Sequence, residues 1–147
     1  MDELDVRMKR MRSYYIAEVN NPAIKNLVSR IINGATSDKE KVIRIANWIR
    51  SNIRYQREPG KLDITVSPSR LINLGAGDCE DLTILTSVMM KNVGIDTKWK
   101  VISQDGKIWT HVYPLVRING TYKPLDLTIP LPYFSEVRGI KSRIYSI

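Results

Sequence analysis

Near Gly94 the spacing of apolar residues changes, and this change limits the folds that the chain can adopt. Before Gly94, apolar residues recur every three or four positions, as in amphipathic helices. After it they lie in short runs between turn residues, as in strands. The runs 97–103, 108–118 and 121–127 predict three strands. Helices followed by an antiparallel sheet predict one α+β domain, and 147 residues are enough to bury a core.

Start and stop signals divide the first part of the chain into helices. Apolar spacing predicts a helix over 2–19, and Gly34 and Gly94 are typical helix stops. The segment 56–67 shows no periodicity. We expect it to border a functional cleft, because long irregular connections in compact domains are commonly functional. The other predicted helix starts are Asn21-Pro22, a capping box from Ser37 to Glu40, Ser67-Pro68 and Asp78.

The chain contains one cysteine and one histidine. One cysteine excludes an internal disulfide, and the two residues together cannot supply a usual four-ligand zinc site. We expect no metal, no cofactor and a reducing, cytoplasmic location. No run approaches 18 uninterrupted apolar residues, so we expect no membrane span.

Cys79 lies in the first turn of the helix that Asp78 is predicted to cap. The free N–H groups and partial positive charge of a helix N-terminus stabilise a thiolate, and the small residues before it let a substrate backbone approach. The alternative is a buried structural cysteine between helix and sheet, because free cysteine is among the most buried residue types.

The turn Asn119-Gly120 is a strong signal for a two-residue hairpin loop. With that loop Tyr113 faces Asp126, so His111 and Asp126 project from one face as diagonal neighbours on adjacent strands. Diagonal positions lie roughly 7–8 Å apart, within reach of a hydrogen bond between imidazole and carboxylate. A thiol needs a base, and the base needs a group that fixes its tautomer. Together with Cys79, this pair favours acyl transfer over a core histidine and a turn carboxylate.

Four blocks of the sequence, in this order, resemble the core pattern of the transglutaminase-like superfamily. They are GAGDCEDL at 75–82, GI at 94–95, HV at 111–112 and PLDLT at 124–128. The helix 45–55, with its Trp and Tyr, looks like the one that precedes this pattern. The resemblance covers about residues 40–130 and indicates a short, single-domain type of microbial or viral origin.

The resemblance implies a papain-like fold, in which a central helix packs on an antiparallel sheet. It implies Cys79 as nucleophile, His111 as base and Asp126 as the carboxylate that orients the base. No calcium loop with alternating Asp or Asn ligands is present, so calcium activation is not expected. On this basis the single domain 1–147 comprises a helical extension (1–36), a catalytic core (37–130) and a tail (131–147).

The oxyanion hole is predicted around the nucleophile. The backbone N–H of Cys79 is one candidate donor, because it lies at a helix start. Tyr55 or Gln56, from the segment leading in, are candidates for the second, and Tyr55 has a core or helix-end role as its alternative. For Asp78 we expect a cap, and for Asp81 a first-turn carboxylate that stabilises the helix dipole.

These observations favour a cysteine-dependent enzyme that cleaves amide bonds in proteins or peptides through a thioester. Transamidation by the same residues, or an inactive module that binds protein, are the alternatives. The net charge of +8 favours acidic partners. We expect the basic residues of the first helix and of 138–143 to form solvated faces or docking surfaces for an acidic protein. Nucleic acid is the least favoured partner, since basic and aromatic residues do not interleave.

Overall fold

A computed structural model of the chain describes residues 2–57 and 65–147. Over these residues the helices are α1 (Glu3–Glu18), α2 (Pro22–Ile31), α3 (Asp38–Asn52), α4 (Pro68–Leu74) and α5 (Cys79–Lys91). The strands are β1 (Arg54–Tyr55), β2 (Ala76–Gly77), β3 (Thr97–Ser103), β4 (His111–Ile118), β5 (Thr121–Pro124) and β6 (Lys141–Ser146). The succession of helices and then strands confirms the predicted α+β class.

The helix starts follow the predicted capping signals. Backbone N–H groups of the first turn donate to the side chains of Asn21, Ser37, Ser67 and Asp78. Of the capping box predicted at the start of α3, one hydrogen bond forms: the Ser37 hydroxyl accepts from the backbone N–H of Glu40. The carboxylate of Glu40 instead accepts from the backbone N–H of Thr36 at 3.1 Å.

Strands β3 to β6 form an antiparallel sheet in the order β5-β4-β3-β6. Asn119 and Gly120 have φ values of 51° and 79°, which are the positive values that a two-residue hairpin turn of type I′ requires. Ile118 pairs with Thr121, as the turn predicted. The register that brings His111 and Asp126 to one face is therefore confirmed.

The strand ends differ from the prediction. β4 begins at His111, not at 108, and the side chain of Ile108 is exposed. β5 ends at Pro124, not at 127. Leu125 N–H still donates to the carbonyl of Pro114 at 2.9 Å, but Pro114 has no N–H to return the bond. The sequence did not predict β6 within the tail. This edge strand pairs with β3, and its nearly uniform exposure leaves no alternation of apolar residues to detect.

A second sheet, also not predicted, consists of the parallel strands β1 and β2. Arg54 N–H donates to the carbonyl of Gly75 at 2.8 Å, and Gln56 N–H to that of Gly77 at 2.7 Å. Strands of two residues are too short to show a period. The pair joins the end of α3 to the residues directly before α5.

The helix α5 lies at the centre of the molecule, and every residue from Glu80 to Met90 is buried. It packs against α1, α3 and α4 on one side and against β3 and β4 on the other. Thr86 and Ser87 donate to carbonyls one turn earlier at 2.7 and 2.8 Å, which satisfies their buried hydroxyls. Apolar side chains of α1 and α2 belong to the same core, so the extension 1–36 packs directly on the rest. No helix in the described part of the chain is long and apolar enough to cross a membrane.

Candidate active site

Cys79 is the first residue of α5 and carries a free, half-buried thiol. The residue before it, Asp78, has extended backbone angles and caps the helix. The thiol therefore lies where backbone N–H groups lack partners within the helix and the helix dipole is positive. Its partial exposure favours the accessible thiol over the fully buried structural cysteine.

His111 and Asp126 are in direct contact. His111 Nε2 lies 2.7 Å from Asp126 Oδ2, and the aspartate side chain is almost completely buried. The second oxygen, Oδ1, accepts from the hydroxyl of Thr128 at 2.6 Å and from its backbone N–H at 3.0 Å. Thr128 Oγ1 also lies 3.3 Å from His111 Nε2. Sequence reasoning missed this role of Thr128, although the threonine belongs to the PLDLT block.

The imidazole of His111 is protonated more readily than that of a free histidine. Burial alone would lower its pKa, but hydrogen bonds to Asp126 and Cys79 outweigh burial and raise the pKa from 6.5 to about 9. Because Nε2 is held by Asp126, the ring nitrogen left for the thiol is Nδ1. The same contact, with those from Thr128, lowers the pKa of Asp126 against the opposing effect of burial. At neutral pH the pair is an imidazolium beside a carboxylate.

A buried threonine joins the helix of the thiol to the strand of the imidazole. Thr83 Oγ1 lies 2.7 Å from the carbonyl of Cys79 and 3.3 Å from the carbonyl of Val112, and it can donate to either. Val112 is the neighbour of His111 in β4. The distance between α5 and β4 is therefore held directly at the candidate site, and the sequence carried no signal for this contact.

A cleft beside His111 contains one of the two candidate oxyanion residues. Its lining includes Tyr55, Arg57, Gln104, Thr110, His111 and Thr128. Burial raises the pKa of the Tyr55 phenol, and the neighbouring Cys79 adds to this effect. Gln56 is exposed and lines a separate depression beside Gly77, and its backbone N–H is taken by the carbonyl of Gly77. Gln56 could therefore donate to an oxyanion only through its side-chain amide. The roles of Tyr55 and Gln56 as oxyanion donors stay predictions.

Asp78 and Asp81 form a reciprocal capping box around Cys79. Each carboxylate accepts from the backbone N–H of the other residue at 3.0 Å, and Asp81 also accepts from Val66 N–H at 2.9 Å. Burial raises the pKa of both carboxyls, and the charge of Asp81 adds to this effect on Asp78. Asp81 thus does more than stabilise the helix dipole. It closes the turn from which the thiol projects.

Two arginines of α1 contact Glu80, the residue that follows Cys79. Glu80 is buried, and its carboxylate pairs with Arg7 at 3.1 Å and with Arg10 at 3.3 Å. The prediction that the basic residues of the first helix are solvated is wrong for Arg7, whose side chain is only 16% exposed. An apolar stripe shows which face of a helix is buried, but it does not show that a cation beside the stripe has a buried carboxylate as partner.

The predicted placement of the irregular segment 56–67 beside the cleft depends on residues 58–64, which lie outside the described residues. The two ends of the segment are described. Arg57 lines the cleft of His111, and Thr65 donates to Glu80 at 3.1 Å. Within residues 2–57 and 65–147, no three His, Cys, Asp or Glu side chains are grouped so as to hold a metal ion.

Cys79 thus presents a thiol at a helix N-terminus, and His111 contacts the buried carboxylate of Asp126. A sequence model of the transglutaminase-like superfamily matches residues 25–127, and this range contains all three. The chain belongs to this superfamily. The predicted family is confirmed, and α1 lies before the matched range. No curated protein matches the chain.

Three solved structures share the transglutaminase-like fold at low sequence identity. They are a candidate protease from Parabacteroides distasonis (14% identity, TM-score 0.69), a candidate cysteine protease from Cytophaga hutchinsonii (18%, 0.61) and a TGase (14%, 0.59). The alignments cover 81%, 85% and 91% of this chain but only 25%, 46% and 41% of the other three. This chain therefore spans less than half of the length of these structures.

Proposed function

We propose that this protein is a cysteine-dependent acyl-transfer enzyme that hydrolyses amide bonds in peptides or proteins. The observation that carries the proposal is the contact of His111 Nε2 with the buried carboxylate of Asp126 at 2.7 Å, beside a thiol at a helix N-terminus. Cys79 is close enough to His111 to raise the pKa of the imidazole. Nucleophile, base and orienting group are the three parts that covalent catalysis by a thiol requires.

In the proposed reaction the sulfur of Cys79 attacks the carbonyl carbon of an amide. The imidazolium of His111 gives its proton to the departing amine as the C–N bond breaks, which leaves a thioester. Water then attacks the thioester and loses its proton to His111. Cleavage of the C–S bond releases the carboxylic acid and restores the thiolate. The backbone N–H of Cys79 is the donor proposed for the oxyanion of both tetrahedral intermediates.

Hydrolysis of a peptide-amide library by purified variants tests this proposal. We expect Cys79→Ala to lose at least about a thousandfold in kcat/KM, and His111→Ala nearly as much, since the sequence has no second histidine. Ser29→Ala, an equally small change at an exposed position of α2, is the matched control and should keep full activity. Circular dichroism confirms that each variant is folded. Full activity in Cys79→Ala would contradict the proposal.

The same assay separates the alternatives. With a primary amine added, formation of an acyl amide in place of the acid would identify a transamidase that uses the same residues. Iodoacetamide labelling of the folded protein at about pH 6 tests the inactive binding module. An activated thiol reacts rapidly there, whereas a structural cysteine resists until the protein unfolds. Absence of both turnover and rapid labelling would favour the binding module.

A further inference from the structure

The buried carboxylate of Glu80 joins α1 to the first turn of the nucleophile helix. Its two oxygens lie 3.1 Å from Arg7 Nε and 3.3 Å from Arg10 Nη2, and they accept from Thr65 Oγ1 at 3.1 Å. Arg10 Nε donates to the same threonine hydroxyl at 3.2 Å. A carboxylate that is only 2% exposed is thus fully paired, as a buried charge must be.

Arg7 makes a second contact that Arg10 does not share. Its Nη1 donates to the backbone carbonyl of Trp109 at 3.2 Å, two residues before His111. One guanidinium therefore holds both the residue after the nucleophile and the segment that leads into the strand of the base. The planar fork of arginine allows two such bonds in different directions, whereas the single ammonium of lysine does not reproduce them.

We propose that Arg7 is a positioning residue of the active site and sets the approach of the Cys79 thiol to the His111 imidazole. The inference rests on the proposed function and extends it to α1, which lies outside the matched range 25–127. Effects of this kind are large, because a displacement of about 1 Å between reacting groups can cost about a hundredfold in rate.

The positioning role of Arg7 is separable from the docking of α1. Leu4, Met8 and Met11 are buried in the common core and hold the helix in place without Arg7. Arg10 still neutralises Glu80 when Arg7 is replaced. Loss of Arg7 therefore leaves no unpaired buried charge, which is the usual reason why such a substitution unfolds a protein.

The variants Arg7→Lys and Arg10→Lys form a matched pair. Both keep the charge and both lose a guanidinium hydrogen bond to Glu80, but only Arg7→Lys loses the bond to the Trp109 carbonyl. Arg10→Lys loses instead the bond from Nε to Thr65. We expect Arg7→Lys to lower kcat about tenfold with little change in KM, and to slow the labelling of Cys79 across the pH range. Arg10→Lys should keep kcat within about twofold, with a similar melting temperature. Arg7→Met, which has no charge, should act like Arg7→Lys.

Equal kcat and labelling rates in the wild type and Arg7→Lys would overturn the inference. Equal losses in Arg7→Lys and Arg10→Lys, in proportion to their melting temperatures, would also overturn it, since they would indicate a structural role alone. If the wild type cleaves no amide, the proposed function fails first. The labelling rate of Cys79 then decides the inference on its own, because it depends on the contact between thiol and imidazole and not on turnover.

Discussion

Among the single residues, His111 shows how opposing effects determine which proton the site can move. Burial disfavours the imidazolium, while Asp126 and Cys79 favour it and prevail, so that its pKa is about 9. The protonated ring is the form that can give a proton to a leaving amine. Activity that depends on this form is present below about pH 9 and falls as the pH rises through that value.

Replacement of Asp126 should move this alkaline limit. In Asp126→Asn the carboxylate that raises the pKa of His111 is lost, and burial, which lowers it, remains. We expect the alkaline limb of kcat/KM to shift to lower pH and the maximal rate to fall by up to about 10,000-fold, because an amide can also hold the wrong tautomer. A pH–rate profile measures both effects.

Asp96→Asn is the control for that profile, since the exposed side chain of Asp96 pairs with Arg117 at 3.8 Å. It should leave the profile unchanged. An alkaline limb at the same pH in the wild type and in Asp126→Asn would show that Asp126 does not control the protonation of the imidazole.

At the level of secondary structure, the short strand β2 is packed tightly before α5. A Cβ atom on Gly77 would lie 2.5 Å from Leu71 Cδ1 and 3.0 Å from the side chain of Asp81. Leu71 is fully buried, and Asp81 completes the capping box with Asp78. Glycine is thus required here by a close approach and not by its backbone angles.

We expect Gly77→Ala to destabilise the protein by about 1–3 kcal/mol, as overpacking does, and to lower activity further by displacing the turn of Cys79. Chemical denaturation and kcat/KM, measured together, test this. Gly34→Ala is the comparison. Gly34 has a φ of 82° with open space around it, so alanine there strains the backbone far from the site. It should lose stability and keep activity. Unchanged activity in Gly77→Ala would contradict the positioning role of β2.

For the whole molecule, the net charge of +8 is the excess of 23 Lys and Arg over 15 Asp and Glu, and it does not show which cations are free to attract a partner. Several cations make internal ion pairs or donate to backbone carbonyls, namely Arg7, Arg10, Arg12, Arg44, Arg50, Lys100, Arg117 and Arg143. The prediction of an acidic protein partner therefore depends on the remaining exposed lysines and arginines.

We expect no stable complex with duplex DNA at physiological salt. Fluorescence anisotropy with a labelled duplex should show weak binding at low salt that is lost by about 150 mM, as for scattered charges without a dedicated surface. Single-stranded DNA serves as the second probe. Retention of tight binding at about 150 mM, with a steep dependence on salt, would revive the nucleic-acid hypothesis.

Much of the candidate site could be predicted because its signals are local. Asn119-Gly120 needs positive φ at two successive residues, and this requirement set the register that brings His111 to Asp126. Asp78 was recognisable as a cap from its position before an apolar run, which located Cys79 at a helix start. In both places the local backbone conformation, a tight turn or a helix start, depends on only a few neighbouring residues, so the sequence alone indicates it.

What the sequence determined by itself was therefore the order of the elements, the hairpin register and the identity of the three candidate catalytic residues. Only the tertiary structure decided that β6 joins the sheet, that Thr83 joins α5 to β4, and that Arg7 reaches both Glu80 and the carbonyl of Trp109. Each of these contacts links segments far apart in the chain. Such contacts depend on how whole helices and strands pack together, and the short-range spacing of apolar residues does not predict them.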